Sequence, residues 1–192
     1  MITLIQNADW SILYMIHNGL SCAFMDVVMP EISALGNMGM IWVLTGLIMM
    51  CTKKYRKCGI ALIAGAAMCF LIGSICLKPL FARPRPCWID HSIRLLIKNE
   101  TDYSFPSGHT LVSFASAYII FKGNKKFGYF AFVIAFLIGF SRLYLFVHFP
   151  SEVLAGAVLG IVIGYAAYVL TDRFYAYVSQ RNNIIKGPPA YT

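Results

Sequence analysis

Three short polar stretches of the sequence contain residue types that bind and transfer anionic groups. They are KPLFARPRP at residues 78–86, FPSGHT at residues 105–110 and SRLYLFVHFPSE at residues 141–152. Guanidinium groups match phosphate oxygens geometrically, an ammonium group adds a point charge, and histidine acts as a nucleophile or as a general acid. The three stretches therefore predict an anion site with nucleophilic and acid–base groups beside it.

The first and third stretches supply three permanent cations, Lys78, Arg85 and Arg142, with few carboxylates expected beside them. Each has a plain structural explanation when taken alone, because Lys78 can snorkel from a helix end and Arg85 can bind lipid headgroups. A cluster of three cations, however, repels itself unless an anion lies among them. We therefore predict that Lys78, Arg85 and Arg142 hold a phosphate-like dianion.

The FPSGHT stretch predicts the start of a helix that cradles the same anion. Pro106 fixes the backbone and Gly108 allows close approach, so the first turn would present the N–H groups of Ser107, Gly108 and His109. A plain turn into a helix, with Ser107 as its N-cap, is the alternative. On the first interpretation, Ser107 and Gly108 join the predicted phosphate-binding residues.

Two histidines and a glutamate complete the predicted site. With one histidine, of His109 and His148, acting as the nucleophile and the other as the general acid, phosphoryl transfer would proceed in two steps without a metal. Glu152 follows Pro150, a residue that suits the first position of a helix. Its carboxylate would either meet the dipole and N-terminus of that helix or accept a hydrogen bond from a ring N–H of His148. Both interpretations stay open.

Long uncharged runs must position these residues in a chain that is 59% hydrophobic and 12% charged. They lie between Glu31 and Lys53, Lys57 and Lys78, Asp102 and Lys122, Lys126 and Arg142, and Glu152 and Asp172. Most approach the roughly 20 residues that a helix needs to cross a bilayer. We therefore predict an all-α, polytopic transmembrane helical bundle of about five to six spans. The stripe Gly156, Gly160 and Gly164 is typical of close helix contacts, and we favour packing of the last span within the bundle over the alternative of a dimer seam.

The formal charge of +8 is concentrated in basic clusters at residues 53–57, 122–126 and 173–186. With five spans, all three clusters fall on the same side, and basic loops favour the cytoplasmic side of the membrane. The distribution predicts topology determinants beside anionic lipid rather than a nucleic-acid site. It also predicts that the site, in segments 78–103 and 142–150, lies at the outer membrane face.

We predict one domain over residues 1–192, because the chain is too short for a second core. Residues 1–31 would be an interfacial or first-helix segment, in which Trp10–Met25 forms an interfacial or half-inserted helix. Residues 187–192 would be a frayed tail. The six cysteines have no CxxC or CxH spacing, so we assign them no metal-binding or disulfide role.

The three stretches resemble the signature motifs of the type 2 phosphatidic acid phosphatase superfamily. The matching patterns are Lys78-x6-Arg85-Pro86, Pro106-Ser107-Gly108-His109 and Ser141-Arg142-x5-His148-x3-Glu152. Three motifs in order, spaced around hydrophobic segments, make the resemblance specific and fit the membrane branch of the family better than its soluble haloperoxidases. The chain departs from the family at one position, where Glu152 replaces the usual aspartate. The extra methylene lengthens the reach of the carboxylate and loosens its hold on His148.

The resemblance implies a helical-bundle lipid phosphatase that works at the outer face with no cofactor and no metal. His148 would form a phosphohistidine, His109 would protonate the leaving group, and Glu152 would orient the ring of His148. The phosphate would be held by the remaining motif residues, which are Lys78, Arg85, Ser107, Gly108 and Arg142.

The short chain is similar to bacterial undecaprenyl-diphosphate phosphatases, which implies a multi-pass protein of the bacterial cytoplasmic membrane. The favoured reaction is hydrolysis of undecaprenyl diphosphate to undecaprenyl phosphate, a step in the recycling of the lipid carrier of cell-wall synthesis. Phosphatidylglycerol-phosphate and phosphatidic acid are the alternative substrates. A phosphate-binding lipid transporter and a lipid phosphotransferase are the alternatives of another class. The expected partners are the lipid phosphate and membrane lipids, without nucleic acid, and the motifs do not give the oligomeric state.

Overall fold

The computed structural model describes the backbone of residues 2–186 and the side chains of residues 3–182. The predicted frayed tail at residues 187–192 lies outside the described residues. Helices dominate, and no strand occurs between residues 2 and 186, so the all-α prediction is confirmed. The helices are α1 (Ile2–Leu20), α2 (Ala23–Leu35), α3 (Met40–Met50), α4 (Arg56–Cys69), α5 (Lys78–Phe81), α6 (Pro86–Ile89), α7 (Gly108–Gly123), α8 (Lys125–Tyr144) and α9 (Pro150–Lys186). A 3₁₀ turn (Asn37–Gly39) joins α2 to α3, and a π-helical segment (Phe70–Leu77) joins α4 to α5.

Three helical segments are long and apolar enough to cross a membrane, namely Arg56–Ile89, Lys125–Tyr144 and Pro150–Asn182. The bent pair Ala23–Leu35 and Asn37–Met50, with a 43° bend between its halves, makes a fourth candidate. Helix α7, which corresponds to the predicted span between Asp102 and Lys122, has only 16 residues because the chain stays irregular up to Ser107. The total of five to six spans therefore remains a prediction.

Helix α7 is the central helix of the bundle and packs against α4, α8 and α9. It buries residues on every side, among them Leu111, Ala117 and Ile120. A helix that is apolar all round belongs in the middle of a bundle rather than at its surface. Because α7 begins with the FPSGHT stretch, this packing fixes the stretch among the ends of its neighbours.

The first helical segment differs from the predicted Trp10–Met25 segment. Helix α1 begins at Ile2, eight residues earlier than predicted, and ends at Leu20, while residues 23–25 belong to α2. The break falls where Cys22 adopts an extended backbone with φ −155° and ψ 158°. The sequence interpretation therefore joined the end of one helix to the start of another. Helix α1 packs beside α8 and α9 and is not among the candidate membrane-spanning helices.

The two ends of the bundle differ in chemistry. At one end Lys57 forms an ion pair with Asp172, the Lys122 ammonium lies 5.6 Å from the centroid of the Tyr168 ring, and Asn124 donates to the hydroxyl of Tyr55. These contacts bring the predicted basic clusters to the same end. Helices α4 and α8 start at this end, whereas α7 and α9 finish there, so the three polar stretches lie at the opposite end.

The glycine stripe of α9 packs against α7 within the bundle, as predicted. A Cβ atom added at Gly160 would lie 2.4 Å from the Leu111 carbonyl oxygen, and one added at Gly164 would lie 2.6 Å from the Ala115 carbonyl oxygen. At Gly156 the nearest atom would be the Ser107 carbonyl oxygen, at 2.9 Å. These carbonyl oxygens belong to the backbone and cannot move aside as the end of a flexible side chain can. The absence of a side chain at the three glycines therefore permits the close approach of α7 and α9.

We expect Gly160→Ala to destabilise the protein by about 1–3 kcal/mol, because its methyl group must push α7 and α9 apart. The measurement is the thermal unfolding temperature of the purified protein in detergent. Gly19→Ala is the matched control, since a Cβ atom there meets nothing within 4 Å. Equal unfolding temperatures for the two variants would contradict the packing role of the stripe.

Candidate active site

A tight turn between α8 and α9 positions His148. Within it, the Phe146 N–H donates to the Leu143 carbonyl at 3.0 Å, and the Val147 N–H donates to the Arg142 carbonyl at 3.2 Å. Phe146 has a left-handed backbone, with φ 59°. Non-glycine residues seldom adopt that conformation, and it turns the chain sharply enough to bury the His148 side chain, which is 1% exposed. The next helix begins at Pro150, as predicted.

The hydrogen bonds of the His148 ring define its tautomer. Nδ1 lies 3.1 Å from Glu152 Oε2 and 3.2 Å from Ser104 Oγ, and Nε2 lies 3.2 Å from an Arg85 Nη1 atom. A guanidinium group has no acceptor, so Nε2 must accept the hydrogen bond from Arg85 and Nδ1 must carry the proton. The lone pair of Nε2 therefore points toward a cation.

Glu152 makes both of the contacts that the sequence left as alternatives. Its Oε2 atom accepts a hydrogen bond from the backbone N–H of Phe149 at 3.0 Å, the bond expected of a glutamate in the first turn of a helix. The same oxygen contacts Nδ1 of His148 and accepts from the Ser104 hydroxyl. Glu152 is fully buried, with Arg83 Nε 3.3 Å from its other oxygen. Helix capping and contact with His148 therefore coexist.

The environment of His148 favours the neutral ring. Burial lowers the pKa of His148 well below its ordinary value, and the charges of Arg85 and Arg142 lower that pKa further. The Glu152 carboxylate acts in the opposite direction, but it does not outweigh desolvation and the cations. The neutral imidazole is the form with a free lone pair, so the ring is in its nucleophilic state near neutral pH.

The cation cluster forms as predicted, but its surroundings differ from the prediction. Asp102 pairs with Lys78, its Oδ1 atom lies 2.6 Å from an Arg85 Nη2 atom, and Glu100 pairs with Arg142. The sequence predicted few carboxylates beside these three cations. That expectation is wrong for Glu100 and Asp102, because the loop folds back over the three cations. The two carboxylates thus pair with all three of the predicted anion-binding cations.

The charge of Asp102 is stabilised in this position. Burial by itself raises the pKa of Asp102, but the hydrogen bonds and charges of Lys78 and Arg85 hold that pKa below its ordinary value. The carboxylate is therefore ionised at neutral pH. The loop therefore occupies donors of Lys78 and Arg85, the cations that the sequence predicted to hold an anion.

The FPSGHT stretch starts α7 at Gly108, with one correction to the predicted cradle. The N–H of Ser107 is not free, because it donates to the Glu152 carbonyl at 3.4 Å. Nor does Ser107 cap the helix with its side chain, since its Oγ accepts from Thr110 Oγ1 at 2.9 Å. Gly108 and His109 lie in the first turn of α7, where N–H groups have no partner within the helix.

His109 occupies the same end of the bundle as the cations. Its Nε2 atom lies 2.9 Å from Asn37 Oδ1, in the 3₁₀ turn between α2 and α3. Asn37 lines the same cavity as Glu100 and Arg142, so this contact places His109 beside the cation cluster. With Asn37 as the acceptor, Nε2 carries a proton. The structure therefore brings His109, His148 and the cations together at one site.

Sequence reasoning missed four residues of this site. Ser104 bridges His148 and Glu152, Asn37 contacts His109, and Arg83 and Asp9 lie behind Glu152. Ser104 directly precedes the FPSGHT stretch, so extending that motif by one residue would have included it. Asp9 carried a weaker signal, as the one charged residue within the sequence of α1.

Comparison with known proteins gives several sequence relatives. The chain is 35% identical over 111 residues to the bacitracin transport permease protein BcrC of Bacillus licheniformis, covering 58% of this chain and 54% of the relative. It is 32% identical over 126 residues to the undecaprenyl-diphosphatase BcrC of Bacillus subtilis, covering 66% of this chain and 62% of the relative. The chain thus matches a little over half the length of these relatives.

The fold and the family are also found among solved structures. The chain superposes on the transmembrane PAP2-type phosphatidylglycerolphosphate phosphatase of Bacillus subtilis with a TM-score of 0.71 and 29% identity, covering 88% of this chain and 87% of that one. Residues 38–176 match the family described as the PAP2 superfamily. This match extends over more than half of the chain and includes all three polar stretches. The chain therefore belongs to the PAP2 superfamily.

Proposed function

We propose that the protein hydrolyses a lipid phosphate or diphosphate without a metal, through a phosphohistidine on His148. One observation carries this proposal: Nε2 of the buried His148 ring holds its lone pair beside Arg85, while Nδ1 is held by Glu152 and Ser104. A nucleophile, a group that orients it and an adjacent cation are the elements of covalent phosphoryl transfer.

The proposed reaction has two steps. In the first, Nε2 of His148 attacks phosphorus, the bond to the leaving oxygen breaks, and His109 donates its proton to that oxygen. The imidazolium formed on His148 is stabilised by the carboxylate of Glu152. In the second step water attacks the phosphohistidine and releases inorganic phosphate. The transferred phosphoryl group is held by the proposed binding residues, which are Lys78, Arg85, Ser107, Gly108 and Arg142.

Undecaprenyl diphosphate is the proposed substrate, and its terminal phosphate is removed to leave undecaprenyl phosphate. The name of the Bacillus subtilis sequence relative supports this choice. Phosphatidylglycerol-phosphate is the first alternative, supported by the name of the structural neighbour, and phosphatidic acid is the second. The cation cluster binds the part that all three lipids share, a terminal phosphate.

A phosphate-binding transporter is the alternative from another functional class. The name of the Bacillus licheniformis relative, a transport permease protein, supports this alternative. The cation cluster alone would suit such a protein. The Nδ1 contacts of His148 favour hydrolysis, because a carboxylate behind an imidazole serves proton and phosphoryl transfer rather than binding. A lipid phosphotransferase would use the same phosphohistidine and differ only in the acceptor.

The proposed location is the bacterial cytoplasmic membrane, with the active site at its outer face. Basic loops favour the cytoplasmic side. The contacts of Lys57 and Lys122 collect the basic clusters at the end of the bundle opposite the site, which supports this orientation.

The test is a phosphate-release assay on the purified protein with undecaprenyl diphosphate, phosphatidylglycerol-phosphate and phosphatidic acid, each with and without a chelator. Between residues 3 and 182, no three His, Cys, Asp or Glu side chains are grouped to hold a metal ion. We expect release that the chelator does not abolish, and the highest kcat/KM with undecaprenyl diphosphate. A strict metal requirement would overturn the mechanism, and no release from any lipid would favour transport or transfer to another lipid.

Removing a carboxylate from the cation cluster should strengthen the binding of inorganic phosphate. We expect Glu100→Gln to lower the inhibition constant of phosphate about three- to tenfold, because Arg142 loses its ion pair and becomes available to the anion. The measurement is the competitive inhibition of phosphate release at constant ionic strength.

Asp172→Asn is the matched control for this experiment, since it removes a carboxylate that pairs with Lys57 at the opposite end of the bundle. Its inhibition constant should equal that of the parent protein. Weaker phosphate inhibition in Glu100→Gln would show that the loop carboxylate supports the cluster instead of competing with the anion.

A further inference from the structure

Helix α1 packs directly against the turn that carries His148. The Trp10 ring meets the Phe149 ring edge-on at a centroid distance of 5.0 Å, and the Tyr14 ring lies 5.7 Å from that of Phe146. Phe146 is the turn residue with a left-handed backbone. Because residues 38–176 are those that match the family, α1 is an element from outside that match.

Asp9 is the charged residue of this packed surface, and only 3% of it is exposed. Its Oδ1 atom accepts a hydrogen bond from the backbone N–H of Ser151 at 2.8 Å, and its Oδ2 atom accepts from the Ser151 hydroxyl at 2.6 Å. The same oxygen lies 2.7 Å from an Arg83 Nη2 atom. A buried carboxylate needs such partners, and here they come from two segments of the active site.

Arg83 connects Asp9 to Glu152. One Nη atom of Arg83 pairs with Asp9, the other donates to Ser151 Oγ at 3.0 Å, and Nε lies 3.3 Å from Glu152 Oε1. The guanidinium plane also lies over the Phe149 ring, 4.3 Å from its centroid. Four contacts on one planar group fix both its position and its direction.

The contact between Arg83 and Glu152 is an ion pair without a hydrogen bond. Glu152 Oε1 is buried and has no hydrogen-bond partner, whereas Glu152 Oε2 contacts the Phe149 N–H, the Ser104 hydroxyl and Nδ1 of His148. A buried carboxylate oxygen without a hydrogen bond attracts any donor that can reach it. Without its ion pair to Asp9, the Arg83 guanidinium group would form hydrogen bonds with Glu152. These bonds would pull the carboxylate away from Nδ1 of His148.

We propose that Asp9 is a positioning residue for the reaction: by holding Arg83, it keeps the Glu152 carboxylate in the orientation that contacts His148. The inference rests on the proposed function, because it assigns Asp9 a role through the pair of Glu152 and His148. It makes the N-terminal helix a part of the active site, and not only an element of packing.

The test compares kcat and KM for phosphate release in Asp9→Asn, Asp9→Glu and Tyr14→Phe. Asp9→Asn should lower kcat about ten- to a hundredfold, the usual range for residues that orient an active group, with KM changed less than about twofold. Asp9→Glu keeps the charge and should recover part of kcat. Tyr14→Phe loosens α1 by removing its 2.6 Å hydrogen bond to Asp90 and should leave kcat near the parent value.

A double-mutant cycle separates positioning from general stability. If Asp9 acts through Glu152, adding Asp9→Asn to Glu152→Gln should lower kcat less than about twofold further. Independent effects that multiply in the double variant would overturn the proposal. Should Asp9→Asn fail to fold, Arg83→Lys serves instead, because it keeps the charge but cannot bridge Asp9 and Glu152. Its kcat should fall by the same factor.

The failures of the two proposals are distinguishable. A parent protein that releases phosphate, together with an Asp9→Asn variant of unchanged kcat, overturns only the role of Asp9. A parent protein that releases no phosphate from any lipid overturns both the proposed function and this inference. Equal losses of kcat in Tyr14→Phe and Asp9→Asn would show that docking of α1 as a whole is what matters.

Discussion

Replacement of His148 by alanine is expected to lower kcat for phosphate release by at least about 10⁴-fold, the scale seen when a covalent nucleophile is removed. Nε2 of His148 holds the lone pair that faces the Arg85 guanidinium, and alanine leaves no atom in its place. The cations and loop carboxylates would remain paired, so we expect the variant to fold. His91→Ala is the matched control, because this histidine is exposed and lies in the loop that follows α6.

The same variant tests the covalent intermediate directly. Brief incubation of the parent protein with a lipid labelled with ³²P in its terminal phosphate should leave label on the protein. Phosphohistidine is labile in acid and stable in base, which distinguishes it from phosphoserine. Label that persists in His148→Ala, or phosphate release at the parent rate, would contradict the assignment of the nucleophile.

The three polar stretches could be predicted to lie together because each is located at the end of a helix, and the direction of each helix follows from the order of the spans. Once α7, α8 and α9 cross the bundle in alternating directions, the start of α7 and the turn between α8 and α9 must lie at the same end. The start of α9 at Pro150 could also be predicted from the sequence, since proline suits the first position of a helix. These predictions needed only the lengths of the apolar runs and local backbone rules.

The loop after α6 could not be placed in the same way. Glu100 and Asp102 follow an irregular segment with no hydrophobic period, so no pattern indicates that they fold back over Arg85 and Arg142. The N–H of Ser107 was expected to be free because its acceptor, the carbonyl of Glu152, lies 45 residues further along the chain. Long-range pairings of this kind depend on how the helices pack, and local sequence does not encode them.

The end of α1 was misplaced for a related reason. The run from Trp10 to Met25 contains no Asp, Glu, Lys or Arg, yet the helix ends at Leu20, and a second helix that also packs on α8 begins at Ala23. The contacts of Asp9 with Arg83 and Ser151 span 74 and 142 residues of sequence. A carboxylate in an apolar helix signals that a partner exists, but only the tertiary structure identifies the partner.

Glu152→Gln is expected to lower kcat about 10²- to 10⁴-fold while the fold is retained, because capping and support of His148 require different properties of the side chain. The amide oxygen of glutamine can still accept from the N–H of Phe149, so the start of α9 keeps its hydrogen bond. The negative charge that stabilises the imidazolium of His148 is lost. The amide NH₂ group would also face Arg83 Nε, which lies 3.3 Å from the present oxygen.

Glu152→Asp provides the complementary result, since it keeps the charge and shortens the side chain by one methylene. The carboxylate would then reach Phe149 and His148 less well at the same time, so we expect a loss of about tenfold in kcat and a lower unfolding temperature. Both variants are measured for kcat and for thermal unfolding. If capping were the whole role of Glu152, glutamine would keep activity near the parent value and aspartate would be the more damaging change. Because Glu152 contacts both His148 and Phe149, we expect the opposite order of activities. Glu152→Gln should have the lower kcat of the two variants but the higher unfolding temperature.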